Sequence, residues 1–321
     1  MGARKRPQAS TRKPASATRA AVRRPRKRKQ ARRTHPLITA LLLIFLTVAG
    51  YWGVTTVIDS PSSITLADGE AAIHFIDVGQ GDSVLIQTTR GSVLIDGGDN
   101  HMGGRVVEYL RDAGVSELEY VVATHPHADH IGGLIAVLGE FPVGTLIMPN
   151  VAHNSRTFER FLDAIEDNDV PLREPVVGSG FSVGAAEFTV IAPNSATYQN
   201  LNDYSVSLRM ALGSTAFIFT GDAEQQSEME MLQHYISADV LHVGHHGSRT
   251  STVQEFLDMV APSIAVISVG MDNSYGHPHG DVLARLEEAG IRIYRTDQDG
   301  HIIMVTDGAD ISVRRSAGWF T

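Results

Sequence analysis

A chain of 321 residues can hold one domain of about 200–250 residues with a sizeable non-globular remainder. Its formal charge of −9 conceals two opposite parts: fourteen of the 27 Lys and Arg fall in residues 1–35, which hold no Asp or Glu, so the rest sets 13 basic against 36 acidic residues, a net of −23. An acidic main domain lacks the basic footprint for stable wrapping of nucleic acid, and the absence of cysteine excludes disulfides and thiolate ligands, leaving His and carboxylate for any metal.

Residues 1–35, rich in Arg, Lys, Pro, Ala and Ser, read as a disordered basic tail, because such a composition buries too little apolar surface to offset ordering entropy. From Pro36 to Ile58 no charge occurs, and this run meets the roughly 20 apolar residues needed to cross a bilayer. Residues 36–58 are therefore expected to form one transmembrane helix, with Tyr51 and Trp52 toward its far interface. The basic block before it places the N-terminus in the cytoplasm and the remainder outside the cell membrane. A cleaved signal peptide is the rival reading, but its apolar region is normally about 7–15 residues, and no small-x-small site follows Val54. Residues 59–69, including Ser60-Pro61-Ser62-Ser63, read as a linker, and one folded domain is expected over 70–316.

Within that domain the pattern predicts strands at Ala72–Val78, Ser83–Gln87 and Ser92–Ile95, joined by tight Gly-containing turns. A helix over Gly104–Ala113, a buried strand Tyr120–Ala123, a helix Ile131–Leu138, a strand Gly144–Met148 and a helix Phe158–Glu166 follow. The second half predicts strands Phe188–Ile191, Val206–Ala211 and Ala216–Phe219, then a helix Ala223–Tyr235. Strand Val240–Val243, helix Val253–Val260, strand Ile264–Val269, helix Asp281–Ala289 and strands near Ile291–Arg295 and His301–Val305 complete it. Two mixed halves, each opening on strands, suit two packed sheets with helices outside, although layering alone leaves several α/β folds open.

The densest chemistry is His125-Pro126-His127-Ala128-Asp129-His130, placed directly after the apolar strand. Alternate positions 125 and 127 can bind one cation, while 129 and 130 begin the next turn and can face a second. The bland alternative is a solvated His-rich loop. Thr220-Gly221-Asp222 ends the strand Ala-Phe-Ile-Phe, where its carboxylate either bridges metals or caps the next helix. His245-His246-Gly247-Ser248 sits at another strand tip, where one ring can ligate while the other faces substrate.

Five motifs in this order, Asp77-Val78-Gly79-Gln80-Gly81-Asp82, the run 125–130, Thr220-Gly221-Asp222, His245-His246-Gly247-Ser248 and Tyr275-Gly276-His277-Pro278, resemble the metallo-β-lactamase-like domain of ComEC competence proteins over about residues 70–305. The resemblance implies an αββα sandwich holding two divalent metal ions, zinc or manganese, at its edge. By matched position His125 and His127 would hold one metal, Asp129, His130 and His246 the other, and Asp222 both. His245 and His277 would stand beside substrate as catalytic residues, and Asp77 and Asp82 would orient ligands from behind. Turn-forming duty is the plain alternative for Asp77 and Asp82, and a loop role for His277. The lactamases carry a further histidine between the first run and Asp222. Here the only histidine between is His153, which follows Gly144–Met148 too early, and the corresponding stretch reads Asn200-Leu201-Asn202-Asp203-Tyr204-Ser205. His74, His153, His234, His242 and His301 read as ordinary surface or packed residues. The implied activity is a phosphodiesterase or nuclease using a hydroxide activated by two metals, acting on DNA or a cell-envelope polymer. A phosphorylcholine-type esterase, a β-lactamase and a non-catalytic binding module are the alternatives.

Overall fold

The computed structural model describes residues 64–320. The basic tail at 1–35 and the expected span at 36–58 lie outside the described residues, and among those described no helix is long and apolar enough to cross a membrane.

The chain first lays down β1 (Ala71–Phe75), β2 (Val84–Thr88), β3 (Gly91–Ile95), β4 (Leu118–Val122), β5 (Val143–Ile147) and β6 (Leu172–Arg173). A second sheet follows from β7 (Gly180–Val183), β8 (Ala186–Ala192), β9 (Ser207–Leu212), β10 (Thr215–Phe219), β11 (Val240–His242), β12 (Ile264–Ile267) and β13 (Arg292–Arg295). The chain then returns to the first sheet with β14 (His301–Thr306) and β15 (Ile311–Ser316). The strand orders are β15-β14-β1-β2-β3-β4-β5-β6 and β13-β12-β11-β10-β9-β8-β7.

Period-two alternation gives each strand two buried faces. Ile73, Phe75, Val84, Ile86, Val93 and Ile95 meet Phe188, Leu208, Met210, Phe217 and Phe219 between the sheets. The opposite faces are covered by helices. Leu85, Leu94 and Val121 pack beneath Gly103–Asp112, Leu134–Glu140 and Arg156–Asp167, while Ile218, Leu241 and Ala265 pack beneath Gln225–Met231, Gln254–Val260 and Gly280–Glu288. In Arg156–Asp167 the buried Phe158, Phe161, Ala164 and Ile165 recur at helical spacing, and the Ser155 hydroxyl accepts from Phe158 N at 3.2 Å to cap the first turn. This is an αββα sandwich.

Two departures from the expected elements matter for the site. The helix expected over Ile131–Leu138 is parted into Ala128–Ile131 and Leu134–Glu140 by Gly132 and Gly133. A Cβ on Gly132 would lie 2.3 Å from Asn100 N, and one on Gly133 only 1.8 Å from Gly97 O. The Asp96–Asn100 backbone thus lies directly on the metal-donor loop, and only glycine admits it. The helix expected over Ala223–Tyr235 shrinks to Gln225–Met231 because the backbone before it is otherwise engaged. Asp222 N donates to Ser205 Oγ and Glu224 N to Asp203 Oδ1, both at 3.1 Å. β6, β7 and β15 carry no clear signal in the sequence, being short or half exposed.

Gly133→Ala is expected to cost on the order of 1–3 kcal/mol through overpacking, lowering Tm by several degrees in thermal unfolding. Gly139→Ala, inside Leu134–Glu140 with open space around its Cα, is expected to hold or raise Tm. Equal Tm for the two variants would refute the close approach.

Candidate metal centre

Four loops converge from the C-terminal ends of strands. Asp96 follows β3, the run 125–130 follows β4, Asp222 follows β10, and His245 with His246 follow β11. β3 and β4 run parallel, as do β10 and β11, so each pair delivers its loops to one edge, the usual place for a site in such sheets. His245 N donates to Gly221 O at 3.0 Å and ties the last two loops together.

The donor atoms form two clusters. His125 Nε2 lies 2.9 Å from His127 Nδ1 and 3.6 Å from Asp222 Oδ2. His246 Nε2 lies 3.4 Å from Asp129 Oδ2, and His130 Nε2 lies 4.0 Å from the same oxygen. The other oxygen of Asp222, Oδ1, faces this second cluster, 3.2 Å from His130 Nε2 and 3.5 Å from His246 Nε2. His125, His127 and Asp222 each offer an atom within 4.8 Å of the others, as do Asp129, His130 and His246. Those spacings suit nitrogen and oxygen donors around a divalent cation at about 2.0–2.2 Å. His130 Nε2, Asp222 Oδ1 and His246 Nε2 are buried and make no hydrogen bond of acceptable geometry, although they face one another. Such orphaned atoms cost about 1–3 kcal/mol each, and their convergence fits a cation that all three would ligate.

The charges agree with that fit. Burial disfavours ionisation of Asp222, but His130, His246 and His125 outweigh it and hold the carboxyl well below its ordinary range. Burial likewise opposes charge on His130 and His246, yet Asp222 leads the neighbours that push both well above 6.5. His125 stays well below, through burial and then the proximity of His130. In the metal-free fold, protons on two imidazoles thus neutralise carboxylates that a cation would otherwise satisfy.

Outer contacts fix each ring. The Nδ1–H of His130 donates to Asp96 Oδ2 at 2.8 Å, while Thr124 donates to both Asp96 oxygens, from N at 2.8 Å and Oγ1 at 2.7 Å. Asp96 therefore points His130 Nε2 at the centre. His246 Nδ1 lies 3.0 Å from Ser268 O and 3.3 Å from Asp82 Oδ1. His245 and His246 both adopt left-handed backbone, at φ 49 and 54. Neighbouring side chains diverge on extended backbone, and the left-handed pair instead turns both rings into the pocket, at a strain of about 1–3 kcal/mol each. His245 Nε2 comes within 3.7 Å of Asp222 Oδ2.

His127, Asp129, Asp222, His245, His246 and His277 all border one cavity of about 700 Å³, with His125 and His130 behind Asp222. The His277 ring stands 5.4 Å from that of His245, and burial followed by the charge of His246 lowers its pKa to about 4. Asp82 reaches the centre through His246. Asp77 does not: its Oδ1 accepts from Gly79 N at 3.1 Å, and its backbone N donates to His301 Nδ1 at 3.0 Å. Three contributors escaped the sequence reading. Asp96 belongs to Asp-Gly-Gly, which reads as a turn, although its place after a buried strand was a usable signal. His153 packs edge-on against His127 at 5.7 Å and lines the cavity. Glu224 lies 3.2 Å from His245 Nδ1.

A family model described as the metallo-beta-lactamase superfamily matches residues 76–270, which contain every one of these donors. The chain belongs to that superfamily. Curated relatives include ComE operon protein 3 of Bacillus subtilis, 34% identical over 253 residues, covering 73% of this chain and 33% of the relative. Competence protein ComA of Neisseria gonorrhoeae is 32% identical over 237 residues, covering 73% and 32%. Recombination protein 2 of Haemophilus influenzae is 30% identical over 235 residues, covering 72% and 28%. All three are ComEC-type competence proteins, and this chain spans about a third of their length. As a member of the metallo-β-lactamase superfamily, the chain carries His and Asp clusters that could hold a divalent metal ion.

The raised His130 and His246 make a pH signature. Stability from their protons is fully present below pH 6.5 and is lost as pH rises through the raised values. Metal must displace those protons, so its binding strengthens with pH. Glu228, pushed up to about 8 by burial, weakens both forms alike over this window. The Tm gap between metal-loaded and chelator-treated chain is expected to widen from pH 6.5 toward 9. A gap that narrows would contradict this electrostatic picture.

Proposed function

We propose that the chain is a membrane-anchored phosphodiesterase that holds two divalent cations, zinc or manganese, outside the cytoplasmic membrane. The supporting observation is the Asp222 carboxylate, which turns one oxygen to each donor cluster at the cavity floor. His125, His127 and Asp222 would hold one cation, and Asp129, His130, His246 and Asp222 the other. Such cations supply Lewis acidity toward phosphoryl oxygens and a nucleophile drawn from water. The first cluster offers fewer protein donors than the second, which leaves room there for substrate oxygens.

The remaining work falls to the chain itself. Asp222 keeps the two clusters in fixed register, while Asp96 and Asp82 hold the rings of His130 and His246 against rotation. His277, held at about 4 by burial and the charge of His246, is a neutral imidazole at pH 7 on the cavity wall. It can therefore exchange a hydrogen bond with a substrate oxygen without adding charge. His245 stands on the same wall.

Nucleic acid is the first substrate reading, because the relatives are named for competence and recombination. The excess of acidic residues outside the tail favours a second, a cell-envelope phosphodiester of the phosphorylcholine type, because it supplies no broad basic track for DNA. Anchoring rests on the uncharged run 36–58 and the basic block before it.

The full-length, metal-supplied chain is expected to hydrolyse bis-p-nitrophenyl phosphate and either plasmid DNA or a choline phosphodiester, and to leave nitrocefin intact. Asp129→Ala and His246→Ala should each lower kcat/KM by at least about a hundredfold. Undiminished activity in both variants, or turnover of nitrocefin alone, would sink the proposal. Protease added to intact cells should digest the folded domain; complete protection would place it on the wrong side of the membrane.

A further inference from the structure

The stretch Asn200–Ser205 provides none of the clustered metal donors, yet it grips the centre at several points. Ser205 Oγ accepts from Asp222 N at 3.1 Å and lies 3.4 Å from His125 Nδ1. Asp203 Oδ1 accepts from Glu224 N at 3.1 Å and from Ser227 N at 3.2 Å. Asn202 Nδ2 donates to Glu224 Oε1 at 2.9 Å, and the same oxygen lies 3.2 Å from His245 Nδ1.

Glu224 occupies the N-cap of helix Gln225–Met231 but makes no capping bond with its side chain. A carboxylate at that position ordinarily serves the free backbone donors of the first turn. Here Asp203 takes that duty by accepting from Ser227 N, which leaves Glu224 free to turn toward His245. An ionised carboxylate only accepts hydrogen bonds. In the neutral ring its pairing with His245 Nδ1 therefore places the proton on Nδ1 and leaves Nε2, 3.7 Å from Asp222 Oδ2, as the acceptor nitrogen. Asn202 holds Glu224 by the same oxygen, so the carboxylate cannot swing away without losing both partners.

We infer that Glu224, locked by Asn202, is a positioning residue that acts through His245, fixing its ring with Nδ1 protonated and Nε2 open to substrate. The kinetic part of this inference rests on the phosphodiesterase reading; the tautomer part does not. Nδ1 of this 21%-exposed ring also lies 3.3 Å from Thr250 Oγ1 and 3.4 Å from Asn202 Nδ2, and Glu224 is the charged acceptor beside it.

The test combines long-range ¹H–¹⁵N spectra of the ¹⁵N-histidine-labelled full-length chain with kinetics on bis-p-nitrophenyl phosphate. In the parent, the His245 signals, assigned by their loss in His245→Gln, should report a protonated Nδ1 and a bare Nε2. Glu224→Ala should scramble that pattern and lower kcat by about 10–100-fold with metal content unchanged. Glu224→Gln, which keeps an acceptor oxygen in place, should recover the pattern and most of the rate. Glu224→Ala/His245→Ala should be no slower than His245→Ala alone. An unaltered tautomer in Glu224→Ala, additive losses in the double variant, or loss of metal would overturn the inference. A parent chain inactive on every phosphodiester would instead defeat the functional reading, and the spectra would still decide the role of Glu224.

Discussion

Everything at the edge of this sandwich answers to one buried carboxylate. Asp222 sits almost without solvent, 3.2 Å from one imidazole and 3.6 Å from another on its opposite oxygen. A carboxylate so placed must be compensated, because an isolated buried charge would neutralise rather than persist. The surrounding histidines do this by splitting their titration. His130 and His246 are driven toward the charged form and His125 away from it. The same residues that satisfy Asp222 with protons are those that would satisfy it with cations.

That constraint extends outward into backbone choices which make little sense as packing alone. Gly132 and Gly133 let the Asp96 loop press against the donor run, so that Asp96 can reach His130 Nδ1. The left-handed pair His245–His246 brings two adjacent rings to opposite oxygens of Asp222. Helix Gln225–Met231 begins late because the residues before it are committed to Ser205 and Asp203. At the centre, local strain and an interrupted helix place donor atoms, at Asp96, His245 and His246 and at Gly132–Gly133.

Much of the fold was legible because its signals are dense. Apolar runs of strand length, each ending in Gly, Asp or His, marked nearly every central strand, and the donor types clustered too tightly in 125–130, 220–222 and 245–248 to be ordinary surface. What escaped was of another kind. Asp96 looks like a turn residue and Glu224 like a helix-start acid, and only tertiary contact separates those duties from their actual ones. Asp77 shares a motif with Asp82, yet the two carboxylates part company, one bonded back to Gly79 within the turn and one toward His246. His153 follows a strand early in the chain, but the parallel neighbours β4 and β5 bring their exits together. Sequence distance concealed that adjacency.

The most direct test is metal stoichiometry of the full-length chain and its Asp222→Ala variant, measured by elemental mass spectrometry after equilibration with excess zinc or manganese and removal of the free ion. A carboxylate shared between two cation sites calls for about two equivalents in the parent and a loss from both sites in the variant. Two equivalents retained by Asp222→Ala, or fewer than one in the parent, would contradict a shared centre.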